Sequence, residues 1–182
     1  MIIRVPDQLS SAYAAFRRER RPDDVLHPGH LSLPSFREPA FALNPDLSRA
    51  VRAADGTTAY LVPGDGVLAV IDRGGGGVAG LHQALDGTIL GTSFRGTGRL
   101  QVLGVVPDGV REVVIERRNG DMISEPVNDH LYAVVVVATT PDELPDRVHL
   151  KLGDHERHLR VPGADDEVLT LRSPRDPRPE DA

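Results

Sequence analysis

The sequence predicts a mainly β fold, an antiparallel β-sandwich or partly open barrel of short strands preceded by an N-terminal helical arm. Apolar β-type runs occur in pairs between Thr57 and Leu171, and turn sequences rich in glycine, asparagine or aspartate join the members of each pair. One such turn is Asn119-Gly120, a dipeptide that favours the positive φ angles of a type I′ hairpin turn. The run Leu131–Ala138 is apolar on both alternating faces, which is typical of a strand buried on two sides.

The chain length of 182 residues suits one domain with extensions. We expect residues 1–44 to form a helix and a proline-rich arm, and residues 45–172 to form the β-rich globular domain. Residues 173–182 consist mainly of prolines and charged residues, which predicts a disordered tail. Within the arm, Pro22–Ala42 has no periodicity and predicts an irregular segment.

The N-terminal helix is expected to begin at an Asp7 cap and to end before Pro22. Leu9, Tyr13 and Phe16 then share one face of the helix. This face is too apolar to be left in water, and so short a helix is marginal alone, so the helix must pack on something. We expect it either to fold back on its own β domain or to dock on a protein partner or a second copy of the chain.

The remaining elements follow from turn signals in chain order. Asn44-Pro45 predicts a short helix that continues to Arg52, and the four glycines 74–77 predict a flexible turn. Leu81–Leu85 predicts about one helical turn. Besides the Asn119-Gly120 hairpin and Leu131–Ala138, the expected strands are Thr57–Val62, Val67–Asp72, Thr88–Phe94, Arg99–Val106, Arg147–Leu152 and His155–Val161. In the Leu131–Ala138 run, we expect deep burial of one alternating set and of at least some residues of the other; the first set is Leu131, Ala133, Val135 and Val137, and the second is Tyr132, Val134 and Val136.

Composition excludes several classes of function. The chain has no cysteine, so disulfides, thiolate metal sites and a cysteine nucleophile are ruled out. Its single lysine, Lys151, is not part of a phosphate-binding loop motif. The net charge of −6, with both signs interspersed, argues against nucleic acid as a partner. We expect no cofactor.

No apolar stretch approaches the length of a membrane span, and no signal sequence is recognisable at the N-terminus. We therefore expect a soluble cytoplasmic protein from the chain as written, and an envelope-associated or secreted one if an upstream signal or anchor is missing.

The clearest candidate for chemistry is the last hairpin. If Gly153-Asp154 is a two-residue turn, His149 faces His158 and Lys151 faces Glu156 across the strands. Strand alternation places these four side chains on one face. Two imidazoles with a nearby carboxylate make His149, His158 and Glu156 candidate ligands for a divalent metal, which normally takes three protein ligands at an open site. The alternative is a solvated polar face with no ligand.

Other motifs have simpler interpretations. Gly91–Gly96 contains Ser93 in the spacing G-x-S-x-x-G inside a hairpin, which does not match a nucleophile elbow and predicts a structural serine. His27 and His30 have no partner visible in the sequence. His130 follows Asp129 at the entry to a strand, and a catalytic pairing of the two would need a nucleophile that the sequence does not identify.

Three segments resemble uncharacterised β-rich proteins of high-GC actinobacteria, namely Tyr60–Gly66, Val105–Val110 and Pro126–Tyr132. These segments are turn-and-strand signatures, and the resemblance implies no activity and no catalytic residue. Members of that group often look envelope-associated and carry a hydrophobic anchor upstream, from which this chain departs.

Three functional hypotheses follow. The first is a noncatalytic protein-interaction or regulatory β-domain, because hairpins supply loops and strand edges while no nucleophile, base and oxyanion set is recognisable. The second is a metal-dependent or hydrolytic enzyme that uses the His149/His158 face. The third is a structural, assembly-forming protein whose N-terminal arm docks on a neighbour.

Overall fold

The structure is a computed structural model that describes residues 2–73, 75–96 and 98–163. The predicted tail and the end of the predicted β domain, residues 164–182, lie outside the described residues. Within the described ranges the chain is mainly β, as predicted, and its strands form three antiparallel sheets with no closed barrel. In chain order the strands are β1 Arg49–Arg52, β2 Thr58–Pro63, β3 Val67–Asp72, β4 Gly75–Gly80, β5 Ile89–Phe94, β6 Arg99–Val105, β7 Glu112–Arg117, β8 Met122–Pro126, β9 Leu131–Val137, β10 Pro145–Leu152 and β11 His155–Arg160.

The three sheets stack in layers. The first sheet has the order β1-β2-β3-β4, the middle sheet β5-β6-β9, and the third sheet β11-β10-β7-β8. One hydrophobic core joins the first and middle sheets, and a second core joins the middle and third sheets. The middle sheet is therefore covered on both faces.

This layering explains why β9 is apolar on both faces. Leu131 and Ala133 point into the first core, whereas Tyr132, Val134 and Val136 point into the second. The prediction that the whole set 131, 133, 135 and 137 is deeply buried is wrong at its end, because Val135 is only partly buried and Val137 is half exposed. Their partners across to β6 are the polar residues Gln101 and Arg99, so the apolar packing of that face has already ended there.

The predicted N-terminal helix is too long. Helix α1 spans Asp7–Ala12 with Pro6, not Asp7, at the cap position, and a 3₁₀ turn covers Ala14–Phe16. Tyr13 ends α1 because its backbone is extended, with φ −129° and ψ 110°. This conformation directs its ring into the first core, where the hydroxyl donates a hydrogen bond of 2.7 Å to the carbonyl of Ala84.

Leu9, Tyr13 and Phe16 are buried in the first core of their own chain. Of the two predicted alternatives, folding back on the β domain is the one found. The three side chains pack against residues of the strands and have almost no exposed surface left, while a protein partner or self-association of the chain stays a prediction.

The Pro22–Ala42 arm covers the outer face of the first sheet. It contains short 3₁₀ turns and one short helix, α2 Pro34–Arg37, as expected for an irregular segment. Its apolar side chains form a third core with residues of β2, β3 and β4; the arm contributes Leu26, Leu33, Phe36 and Phe41. The first 44 residues thus share their packing with the strands.

A buried ion pair fastens the start of the arm to β1. The carboxylate of Asp24, which is fully buried, accepts hydrogen bonds from both terminal nitrogens of Arg18 at 2.6 and 2.7 Å. It also accepts from the backbone amides of Arg21 at 2.6 Å and Ala50 at 2.7 Å. Burial by itself would raise the pKa of Asp24, but these hydrogen bonds outweigh it and lower the pKa to about 2.

Two local predictions are wrong because strand pairing prevails over local signals. The helix predicted from Asn44-Pro45 to Arg52 is only a 3₁₀ turn over Pro45–Leu47, and Arg49–Arg52 is strand β1, paired with β2. Of the four glycines predicted as a flexible turn, residue 74 lies outside the described residues, and Gly75, Gly76 and Gly77 begin β4 and pair with β3. The helical turn at Leu81–Leu85 is confirmed as α3.

Both predicted hairpin turns are present with positive φ at a glycine. Gly153 has φ 60° in the two-residue loop between Leu152 and His155. Asn119-Gly120 is not a type I′ turn, since only Gly120 has positive φ, at 89°. The amide of Gly120 donates to the carbonyl of Arg117, which makes a type I turn followed by a left-handed glycine.

Candidate functional site

The last hairpin has the register that the sequence predicts. His149 is opposite His158, and Lys151 is opposite Glu156, on β10 and β11. The Nδ1 atoms of His149 and His158 lie 2.5 Å apart, and the two rings meet edge to face. One ligand atom from each of His149, His158 and Glu156 lies within 4.8 Å of the others. The structure therefore brings together the three residues named from the sequence.

Glu116 on the neighbouring strand β7 belongs to this cluster, and the sequence reasoning missed it. Its Oε2 lies 2.7 Å from Nε2 of His149. Because an ionised carboxylate only accepts hydrogen bonds, Nε2 of His149 carries the proton and Nδ1 is directed at His158. The pairing of β7 with β10 joins residues 33 apart in sequence, so no local pattern reveals it.

The cluster lies on the outer face of the third sheet. The alternate residues of β10, Val148 and Leu150, point the other way into the second core. Glu156 and His158 are exposed, whereas His149 is partly buried between its neighbours. The second core thus fixes the backbone of β10, while the polar side chains of the cluster face water.

A groove of about 460 Å³ is a second candidate site. It lies between β4 and β5, each of which is the edge strand of its sheet. Apolar side chains of both sheets line it together with glycines and a few polar groups; they include Val70, Val78, Ile89 and Leu103. Asp72 is the charged residue among the described residues of this lining, and its carboxylate lies 3.8 Å from Arg95.

Glycines widen this groove because they line it without side chains. Gly91 on β5 is opposite Leu103 on β6 and shares the face directed at the first sheet. A Cβ atom on Gly91 or Gly77 would meet no other atom within 4 Å, and neither residue has a positive φ. The glycines of β4, which the sequence suggested as a turn, therefore leave strand backbone uncovered at the rim of the groove.

His130 is a structural residue. It is buried, its Nε2 accepts a hydrogen bond of 3.3 Å from the amide of Ala15, and its Nδ1 lies 3.2 Å from the carbonyl of Val106. Burial lowers the pKa of His130, and the nearby carboxylates of Asp108 and Asp129 oppose this only in part. The neutral ring thus fastens the N-terminal segment to the entry of β9.

Three further residues that the sequence singled out lie in the arm and in β5. His27 and His30 lie in the arm, with ring centroids 6.1 Å apart, and His30 packs beside Tyr60. Ser93 is a residue of β5, opposite Gln101 on β6, and it is one of the residues that line the groove.

No family model, curated protein or solved structure compared with the chain gives a significant match. The resemblance to actinobacterial β-rich proteins stays a prediction. Among the residues that the structure describes, no helix has the length and apolar character to cross a membrane.

Proposed function

We propose that the protein is a noncatalytic β-domain that binds an extended peptide segment of a partner protein in the groove between β4 and β5. The observation that carries the proposal is that two sheet edges flank one groove. An edge strand presents unpaired backbone groups, and an added strand satisfies them while its alternate side chains enter pockets.

The dimensions and chemistry of the groove support this proposal. A volume of about 460 Å³ lies within the range of ordinary ligand sites. The glycines of β4 and β5 allow another backbone to approach closely, because they have no side chains in the way. The apolar lining, with the charge of Asp72 near that of Arg95, favours a peptide with uncharged, apolar side chains at alternate positions.

The burial of Leu9, Tyr13 and Phe16 in their own chain favours this proposal over the third hypothesis, a protein that assembles through its arm. The metal-dependent hypothesis concerns a different face of the fold, that of the third sheet.

The test is a selection of random decapeptides on the wild-type protein, followed by NMR titration of the selected peptides. Binding is expected to shift the amide resonances of β4 and β5. The variant Gly91→Leu is expected to weaken binding at least about 10-fold, because its side chain fills the groove without backbone strain. Ser124→Leu on β8, an edge strand of the third sheet, is the matched control and keeps wild-type binding. Peptides that bind wild type and Gly91→Leu equally, or no selected peptide at all, would contradict the proposal.

A further inference from the structure

We propose that His149, His158 and Glu156 bind a divalent transition-metal ion, zinc in the first place, on the outer face of the third sheet. The inference does not rest on the peptide groove, since the groove lies between the first and middle sheets. It rests on the ligand set, on the distance between the two imidazoles and on the position of Glu116.

The ligand set suits zinc. Imidazole nitrogen and carboxylate oxygen are ligands that zinc takes in proteins, and three protein ligands with one water are typical of an open zinc site. The three ligand atoms lie within 4.8 Å of one another on two adjacent strands of one hairpin. Exposure of Glu156 and His158 leaves the fourth position to water.

The distance between the imidazoles requires only a small adjustment. Two Zn–N bonds of about 2.05 Å at a tetrahedral angle place the nitrogens about 3.3 Å apart. The Nδ1 atoms of His149 and His158 lie 2.5 Å apart, so they must separate by about 0.8 Å. His158 is exposed and belongs to β11, the edge strand, so its ring can rotate outward without disturbing a core.

Glu116 orients the ring of His149 and selects the tautomer that a metal ligand needs. Metal-binding histidines typically donate their second ring N–H to a carboxylate or carbonyl, which selects the tautomer and orients the ring. The 2.7 Å contact between Glu116 Oε2 and His149 Nε2 is an arrangement of this kind. It leaves the lone pair of Nδ1 directed at His158, on the side where the ligand atoms converge.

Metal binding requires one change of tautomer in the pair of imidazoles. Two Nδ1 atoms at 2.5 Å need a proton between them, because two facing lone pairs repel. With Nδ1 of His149 as the acceptor, that proton is on Nδ1 of His158, so His158 must change tautomer and carry its proton on Nε2 before its own Nδ1 can bind a metal ion. Lys151, opposite Glu156, is exposed and extends into water, so it need not occupy the ligand position.

The test is calorimetric titration of zinc chloride into tag-free, chelator-treated protein. We expect one ion per chain with a defined affinity. His149→Ala and His158→Ala are each expected to weaken binding at least about 100-fold, and Glu116→Gln about 10-fold, in the range for residues that orient a ligand. These side chains lie on an outer face, so the metal-free variants should melt as wild type does. His155→Ala is the matched control, since it removes an exposed histidine from the other face of the same hairpin.

A spectroscopic readout distinguishes ligation from a general loss of charge. Zinc is expected to shift the ¹⁵N resonance of Nδ1 of His149, while Nε2 stays protonated. The proposal is overturned if wild type does not bind zinc, or if it binds zinc no more tightly than the double variant His149→Ala/His158→Ala. It is equally overturned if His155→Ala loses affinity as much as His149→Ala, or if the shift appears at Nε2.

Discussion

Substitution of Gly104 by alanine tests whether one ring determines the packing between the middle and third sheets. Gly104 on β6 is directly opposite Tyr132 on β9, and both face the third sheet. A Cβ atom on Gly104 would overlap with the ring and hydroxyl of Tyr132. The ring is fully buried, so it cannot move into water to relieve the overlap.

We expect Gly104→Ala to lower the free energy of unfolding by about 3 kcal/mol, the upper part of the usual cost of overpacking, because the contact is with a closely packed ring. For a chain of this length that corresponds to a fall in Tm of about 6–12 °C. Thermal and urea unfolding, followed by circular dichroism, measure both quantities. Gly91→Ala in the same sheet is the control and should be neutral, because its Cβ meets no other atom within 4 Å.

A double-mutant cycle identifies the cause. In a Tyr132→Leu background the overlap is gone, so adding Gly104→Ala should cost less than about 0.5 kcal/mol, which gives a coupling close to the full cost of the single change. If the two substitutions are additive, the ring does not determine the space at Gly104, and the reasoning is refuted.

Two further predictions concern pH. Asp24→Asn should lower the free energy of unfolding by about 3 kcal/mol, because it leaves Arg18 without its buried carboxylate. Since the pKa of Asp24 is lowered to about 2, the free energy of unfolding of the wild type should fall by about 2 kcal/mol as pH falls from about 4 towards 2. Urea unfolding across this range should show a shallower loss in Asp24→Asn, and parallel curves would argue against it. His130 has a lowered pKa, so the unfolded chain takes up its proton first and stability falls as pH drops below about 6.5, by at most about 1.4 kcal/mol per pH unit. His130→Asn, which suits the φ of 71° at this position, should reduce the fall in Tm between pH 7.5 and 5.5, and an unchanged fall would contradict the assignment.

Local sequence predicted the structure correctly where a turn, or the period of side-chain direction along a strand, determines it. The Gly153-Asp154 turn sets the register of the last hairpin, and with it the approach of His149, His158 and Glu156, because side-chain direction in a strand has a period of two. The same local signals were misleading at Arg49–Arg52 and in the glycines of β4. Pairing with a neighbouring strand prevailed over a helix cap in the first and over intrinsic flexibility in the second.

The sequence by itself determined the class of fold, most of the hairpins, the turn glycines and the face on which the two histidines meet, since all of these depend on residues a few positions apart. Only the tertiary structure decided that Glu116 orients His149, that the edges of β4 and β5 form a groove, and that Leu9, Tyr13 and Phe16 are internal. The first depends on the pairing of β7 with β10 within one sheet, and the other two depend on how the sheets stack, so each joins residues that no local pattern connects.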